Sequence, residues 1–252
     1  MVNILLYDDH KTQLRTPYLR HALERDLNLK NIQFNHADRH HLTAAMNKNT
    51  DAVFIAENIG SKCHHMRDIP SSAIKAMKQY AYDGGQLIFF GGMAHYAMSE
   101  ITWHWDNETI VYKGMKQTFS FVHGQMVGPH HRFPISPDDP IEHNGCFEVP
   151  LIIPEGETEF ALENCWQGNC GNFIINEDRI HHDYDVLATY AQKEGVAALK
   201  TSVGHNGGNI ILCSVMPHYR KRHASPLWNK ILSHIEEKTL EKTPTYTLKQ
   251  TP

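Results

Sequence analysis

The sequence predicts an α/β protein built on a doubly wound, flavodoxin-like, mostly parallel sheet with an inserted antiparallel β region. Three observations support this fold class. In the first part of the chain, apolar runs of strand length alternate with amphipathic helical segments. Residues 84–96 have the pattern of a strand between two glycine pairs, a sharp turn and a helix. Between residues 109 and 173 this alternation gives way to short β-prone runs separated by Gly, Pro and Asn-rich turns.

The first half of the chain supplies the parallel part of the predicted sheet. Residues 2–7 are apolar almost throughout, as expected for a central strand buried on both faces. Thr16 is predicted to cap the following helix, with Pro17 in its first turn. The other predicted strands are 31–34, 51–56 and 86–90, and the other predicted helices are 40–47 and 71–82.

The second half begins with the insertion, whose predicted strands are 109–112, 118–122, 147–153 and 159–162. Apolar strands return at 186–190, 197–200 and 209–214, and the glycine-rich segment 204–208 predicts a hairpin turn between the last two. A final helix is predicted at 226–235 with Ser225 as its cap. We therefore expect one domain over 1–238, including the insertion at 109–173, and a polar tail over 239–252. Leu5, Phe54, Ile88 and Ile211 should lie on neighbouring parallel strands.

The overall charge does not favour a nucleic acid or an anionic membrane as the partner. The formal net charge is -4, from 24 Lys and Arg against 28 Asp and Glu. No stretch approaches transmembrane length, and the first residues lack a basic leader and a cleavage site. Five cysteines, an odd number without framework spacing, indicate reduced thiols. These features predict a cytoplasmic protein.

The 19 histidines raise the question of a metal. Four pairs occur, at 40–41, 64–65, 130–131 and 181–182, but none has the helical i, i+4 spacing with a carboxylate that is typical of a zinc site. Cys165 and Cys170 could hold a metal or form a disulfide, although free loop cysteines are the favoured interpretation. We expect neither a metal nor a cofactor.

Two adjacent carboxylates, Asp8 and Asp9, follow the first strand directly. Open α/β sheets bind their ligands at the carboxyl ends of the strands, so this pair could bind a cation or a ligand hydroxyl group. The alternative is that the pair caps the helix or turn that follows.

The order of the segments resembles the class I glutamine amidotransferase-like fold, and more closely the amino-terminal domain of eukaryotic-type biotin protein ligases. The resemblance covers most of residues 2–235. It is carried by segments 3–7, 52–55, 84–91, 185–191 and 208–212, the last leading to Pro217-His218. The biotin ligase catalytic module, with its adenylate-binding loop, has no counterpart in this sequence, so biotin transfer is not implied.

The resemblance also implies where catalytic groups would lie. The family uses a cysteine at the strand–helix turn, a histidine near the end of the last core strand, an acidic residue two positions later and a glycine loop that stabilises an oxyanion. The matching positions here hold Gly91, His218, Arg220 and Ala56-Glu57. Only the histidine is retained, so His218 is a candidate remnant of the catalytic set, and the nucleophile position is lost at Gly91.

Three functions remain open from the sequence. The favoured hypothesis is a catalytically emptied domain that binds a small molecule or a protein at the carboxyl edge of the sheet. The alternative is a hydrolase that uses carboxylates and histidines there, with or without a metal ion. The third is an interaction module acting through the basic segment 218–223. The expected ligand-binding residues are Asp8, Asp9, Glu57, Gly91, Gly92, His95, His218 and Arg220.

Overall fold

The computed structural model describes residues 1–8, 15–57, 69–105, 108–114, 118–128, 147–168, 171–175, 184–192 and 195–241. The strands in these ranges are β1 Val2–Tyr7, β2 Ile32–Ala37, β3 Ala52–Ile55, β4 Gln86–Phe90, β5 Met98–Trp105, β6 Glu108–Lys113, β7 Val122–Gly128, β8 Phe147–Pro154, β9 Phe160–Gln167, β10 Asn172–Ile174, β11 Tyr184–Tyr190, β12 Val196–Val203 and β13 Gly208–Cys213. The α-helices are α1 Thr16–Asp26, α2 Leu42–Ala45, α3 Ser71–Tyr82, α4 Gly92–Tyr96 and α5 Pro226–Glu241.

Five parallel strands in the order β2-β1-β3-β4-β13 form the centre of the sheet. Ile88 lies beside Phe54 on one neighbouring strand and beside Ile211 on the other, and Leu5 lies on β1, next to β3. This confirms the predicted placement of these four residues and the flavodoxin-like strand order.

Helices cover both faces of this parallel part. Because successive side chains of a strand point to opposite faces, Ile4 and Leu6 pack in the same core as residues of α1 and α5. Leu5 and Tyr7 pack on the other face, with residues of α3. Burial on both faces explains why β1 is apolar, and the doubly wound arrangement agrees with the prediction.

The remaining strands are mostly antiparallel. β12 and β13 form the predicted hairpin around the turn at 204–207. Beyond β12 the sheet continues through β10, β7, β5 and β6, while β11 pairs with both β12 and β8, and β8 pairs with β9. β5 was not predicted, and it pairs with β7 in parallel rather than antiparallel fashion. The predicted strand 118–122 is also displaced, because β7 begins only at Val122.

The helix ends partly follow the sequence. The Ser225 hydroxyl accepts a hydrogen bond from the Trp228 N–H at 3.1 Å, so the predicted cap of α5 is confirmed. Thr16 was wrongly predicted as a cap: it is the first residue of α1, and its hydroxyl donates to the Tyr7 carbonyl at 3.0 Å. α5 runs to Glu241, beyond the predicted start of the polar tail. No helix in the described ranges combines the length and the apolar character needed to cross a membrane.

Candidate functional site

Gly91 forms the tip of the turn between β4 and α4. Its backbone has φ 55° and ψ -137°, a left-handed conformation that side chains disfavour. Its N–H donates to the Cys213 carbonyl at 2.7 Å, which ties the turn to the end of β13. A Cβ atom at this position would lie 2.5 Å from the Cβ and 3.4 Å from the Cα of Glu57. The positive φ and the lack of space for a Cβ atom therefore both require glycine at this position.

Glu57 follows β3 and meets the short 3-10 turn Pro217–Tyr219 that follows β13. Its side chain is almost fully buried, as is that of His218. The Tyr219 hydroxyl donates to Glu57 Oε1 at 2.6 Å, and His218 Nε2 lies 3.2 Å from Glu57 Oε2. The carboxyl ends of β3 and β13 thus bring together a carboxylate, an imidazole and a phenol.

The contact between His218 and Glu57 has the distance of an ion pair without the direction of a hydrogen bond. Among the described residues, Glu57 Oε2 and both ring nitrogens of His218 are buried and have no hydrogen-bond partner. We therefore treat the 3.2 Å contact as electrostatic. These three buried polar atoms are therefore incompletely satisfied by the described residues.

The electrostatics of the cluster keep Glu57 charged. Burial raises the pKa of the Glu57 carboxyl group, but the attraction and close contact of His218 and the hydrogen bond from Tyr219 lower it more, so that the net pKa lies below its ordinary value. Burial and the neighbouring Glu57 both raise the pKa of Tyr219. At neutral pH a carboxylate therefore accepts a hydrogen bond from a protonated phenol.

Arg15 completes this group of side chains, which we call the Glu57 cluster: Arg15, Glu57, His218 and Tyr219. Arg15 is buried, and its Nη1 donates to the Tyr219 hydroxyl oxygen at 2.6 Å. Its guanidinium carbon lies 5.5 Å from the centre of the Tyr219 ring, a cation–π distance. Its backbone N–H donates to the Glu57 carbonyl at 2.9 Å, which fixes the start of α1 against the end of β3.

Arg15 and Tyr219 were missed from the sequence, whereas Arg220 was expected near the carboxylates. In the structure the Arg220 side chain instead bonds to Glu148, and Arg222 of the same basic segment pairs with Glu236. The missed signals were local. Tyr219 directly follows the candidate histidine, and Arg15 directly precedes the first helix at the carboxyl edge.

His95 lies apart from the Glu57 cluster in its contacts. It is buried, and its Nε2 accepts a hydrogen bond from the Gly171 N–H at 3.3 Å. Its ring centre is 6.1 Å from that of Trp103 and 6.3 Å from that of Phe173. Burial lowers the pKa of His95 to about 3, so the side chain is neutral at physiological pH. His95 therefore behaves as a core residue that carries one hydrogen bond.

The other predicted ligand-binding residues do not lie together in one group. Gly92 is the first residue of α4, directly after the turn tip. Asp8 lies at the end of β1, where its Oδ2 is 3.5 Å from His36 Nδ1 and its N–H donates to the Ala37 carbonyl. Asp9 lies outside the described residues.

No three His, Cys, Asp or Glu side chains within the described ranges are arranged to hold a metal ion. Cys165 was expected in a loop, but it lies in β9 and is completely buried, and burial raises the pKa of its thiol. Cys170 and the histidine pairs 64–65, 130–131 and 181–182 lie outside the described residues. The remaining pair, His40 and His41, is exposed.

Comparison with solved structures identifies the fold. The chain is similar to PurLQS from Thermotoga maritima, with a TM-score of 0.58 and 9% identity over 93% of this chain and 99% of that one. A crystal structure of a glutamine amidotransferase has a TM-score of 0.57 and 12% identity, over 94% of this chain and 100% of that one. A ThuA-like protein from Bacteroides uniformis has a TM-score of 0.51 and 9% identity, over 96% of this chain and 92% of that one.

No protein-family model and no curated protein matches this sequence. Identities this low show the fold alone. The structure neighbours nevertheless confirm the coarser part of the sequence resemblance, because PurLQS and the glutamine amidotransferase match over nearly their whole length. The chain therefore has a class I glutamine amidotransferase-like fold.

Proposed function

We propose that this chain is an amidotransferase-like domain without thiol-dependent hydrolase activity, which binds a small molecule or a protein at the carboxyl edge of its sheet. One observation carries the first half of this proposal. Gly91 holds the turn where the resembled family places its cysteine, and Glu57 occupies the space that a side chain there would need. A nucleophile is therefore absent from the turn and cannot be accommodated without moving Glu57.

The charge of Glu57 supports the same conclusion. Acyl transfer develops a negative oxygen that must be stabilised by hydrogen-bond donors close to the nucleophile. The side chain beside Gly91 is a buried carboxylate whose pKa is lowered, so it is ionised and repels an oxyanion. The site is electrostatically unsuited to the chemistry of the resembled family.

The binding half of the proposal rests on the unsatisfied atoms of the Glu57 cluster. Leaving a buried polar atom without a partner costs about 1–3 kcal/mol. Three such atoms belong to Glu57 and His218, and both residues lie at the strand ends where ligands bind in this class of fold. A small polar ligand that donates a hydrogen bond to Glu57 Oε2 would offset part of this cost.

The alternative is a hydrolase in which Glu57 and His218 act as an acid–base pair. The 3.2 Å separation of their side chains favours this option, because a carboxylate this close to an imidazole can hold the ring in position for proton transfer. In such a mechanism His218 would take a proton from a water molecule and return it to the leaving group. No nucleophilic side chain would be needed.

An activity assay separates these two functions. We expect no ammonia release from L-glutamine above the rate without protein, because loss of a nucleophile lowers turnover by about 10⁶-fold. Hydrolysis that survives replacement of all five cysteines but is lost in His218→Leu would instead support the acid–base enzyme. Tyr219→Phe is the matched control, since it removes one hydrogen bond to Glu57 and keeps His218.

Ligand binding is tested on the same proteins by thermal unfolding against a panel of small polar metabolites. A compound that binds the folded state raises the midpoint temperature by an amount that grows with the logarithm of its concentration relative to its Kd. We expect at least one compound to stabilise the wild type and to lose this effect in Glu57→Gln. If every compound acted equally on both proteins, the Glu57 cluster would have no role as a binding site.

A further inference from the structure

The hairpin formed by β8 and β9 buries only one of its two faces. The two strands pair antiparallel without a register shift. On one face, Val149, Leu151 and Cys165 are buried in the hydrophobic core. Because successive side chains of a strand point to opposite faces, the residues between these positions belong to the other face of the hairpin.

This other face carries a contiguous apolar group, which we call the hairpin face: Ile152, Pro154, Phe160 and Leu162. Ile152 lies directly opposite Leu162, and Pro154 lies directly opposite Phe160, so the four side chains are neighbours. Leu162 is 68% exposed and Phe160 is 60% exposed, while the two β8 residues are partly buried. Single exposed apolar residues are common on protein surfaces, but a contiguous group on one sheet face indicates an interaction site.

The charges next to the hairpin face restrict what can bind there. The turn between β8 and β9 carries Glu155, Glu157 and Glu159, all of them exposed. Lys230 interacts electrostatically with Glu155, whereas Glu157 and Glu159 form no ion pair with any described residue. A partner with positive charges beside its apolar side chains would therefore be attracted by carboxylates that this chain leaves unpaired.

We propose that the hairpin face binds a protein segment in which apolar side chains are flanked by Lys or Arg. The other classes of occupant fit the charges less well. The three glutamates of the turn repel an anionic membrane surface and a nucleic acid alike. A second copy of the same face brings the same carboxylates, and Arg220, which could attract them, is already paired with Glu148 of its own chain.

Selection from a phage-displayed library of random peptides against the full chain tests this chemistry. We expect the enriched peptides to combine apolar residues with Lys or Arg. The affinity of an enriched peptide is then measured by fluorescence anisotropy. Leu162→Ser should weaken binding about tenfold, because most of the apolar area that this side chain buries in the complex is lost. Leu240→Ser should leave the affinity unchanged, and it is a matched control because Leu240 is a leucine on α5 that is 60% exposed.

The contribution of the carboxylates is measured separately. The double variant Glu157→Gln/Glu159→Gln should weaken binding of the same peptide about threefold, the size expected for exposed charge pairs. Added salt should weaken binding to the wild type and have less effect on the double variant, because salt screens exposed charges. Glu237→Gln, which removes an exposed carboxylate on α5, should match the wild type.

Several results would contradict the proposal. One is a selection that enriches no peptide, or acidic peptides only. Another is equal binding of the enriched peptide to the wild type and Leu162→Ser. A dimer in sedimentation velocity that Leu162→Ser dissociates would show that a second copy occupies the hairpin face instead. Binding to vesicles of phosphatidylcholine and phosphatidylserine that the same substitution abolishes would assign the face to a membrane.

Discussion

Replacement of Gly91 by alanine tests whether the strand–helix turn is closed to every side chain. The substitution adds one methyl group, so its effect comes from two separable sources. One is the left-handed backbone at φ 55°. The other is contact of the new Cβ with Glu57, at 2.5 Å from its Cβ and 3.4 Å from its Cα.

The two contributions have known sizes. A sparsely populated backbone conformation of this kind costs a residue with a Cβ about 1–3 kcal/mol. Insertion of an extra carbon into a packed core costs about 1–3 kcal/mol more, because the surrounding atoms must shift. Glu57 has little room to move, since its carboxylate is held by Tyr219 and its carbonyl by the Arg15 N–H. We expect Gly91→Ala to lose about 2–6 kcal/mol, a large part of the roughly 5–15 kcal/mol that stabilises a typical domain.

Two other glycines separate the contributions. Gly114 has φ 66°, and no atom lies within 4 Å of the place that a Cβ would take, so Gly114→Ala measures the cost of a positive φ without a steric contact. Gly156 also has open space, without a left-handed φ, so Gly156→Ala should stay within about 0.5 kcal/mol of the wild type. The free energy of unfolding of all three variants is measured by urea denaturation. If Gly91→Ala were no less stable than Gly114→Ala, Glu57 would not exclude a side chain from the turn.

Two further predictions concern pH. Burial lowers the pKa of His95 to about 3. Between pH 6.5 and 3 the unfolded state therefore binds a proton that the folded state does not bind, so stability falls as the pH falls. His95→Gln should reduce the slope of the unfolding free energy against pH by up to about 1.4 kcal/mol per pH unit, measured by urea denaturation. An unchanged slope would contradict this. So would an equal change in His205→Gln, a control in an exposed turn. For Glu163, burial raises the pKa more than the hydrogen bonds from Ser225 and Leu227 lower it, so its stabilising contribution is present at low pH and is lost as the pH rises through the folded pKa. Glu163→Gln, which can still accept from the Leu227 N–H, should gain stability relative to the wild type between pH 4 and pH 7, and the opposite trend would refute this.

The parallel core could be predicted because one strong constraint applies to all its strands. A strand buried on both faces must be apolar along most of its length, and β1, β3, β4 and β13 are, since each has at most one polar residue, at its first or second position. β5 was harder to predict, because Ile101 and Trp103 alternate with polar residues over a short stretch that directly follows a helix. Its parallel pairing with β7 is a long-range contact, which local alternation does not encode.

The site could be predicted only where the chain positions fix it. Glu57 and His218 come together because both follow parallel strands of the same sheet. The order of these strands could be predicted from the sequence. The roles of Arg15 and Tyr219 depend on side-chain direction in the segments after those strands. A basic segment such as 218–223 does not reveal which of its residues points inward, and in the structure the tyrosine does so while Arg220 turns to Glu148.

Gly91 and Glu57 have to be considered as one coupled unit rather than as two independent departures from the resembled family. The conflict at the turn involves the Cβ of Glu57 and not its carboxylate, so Glu57→Ala or Glu57→Gln would leave the obstruction in place. Only glycine at position 57 removes it, and the Cα then still lies 3.4 Å from the new side chain. A cysteine at the turn therefore requires two simultaneous substitutions, each of which is unfavourable alone, because the first clashes and the second removes the partner of His218 and Tyr219. This coupling gives a physical reason why a chain with Glu57 in place keeps glycine at the tip of its turn.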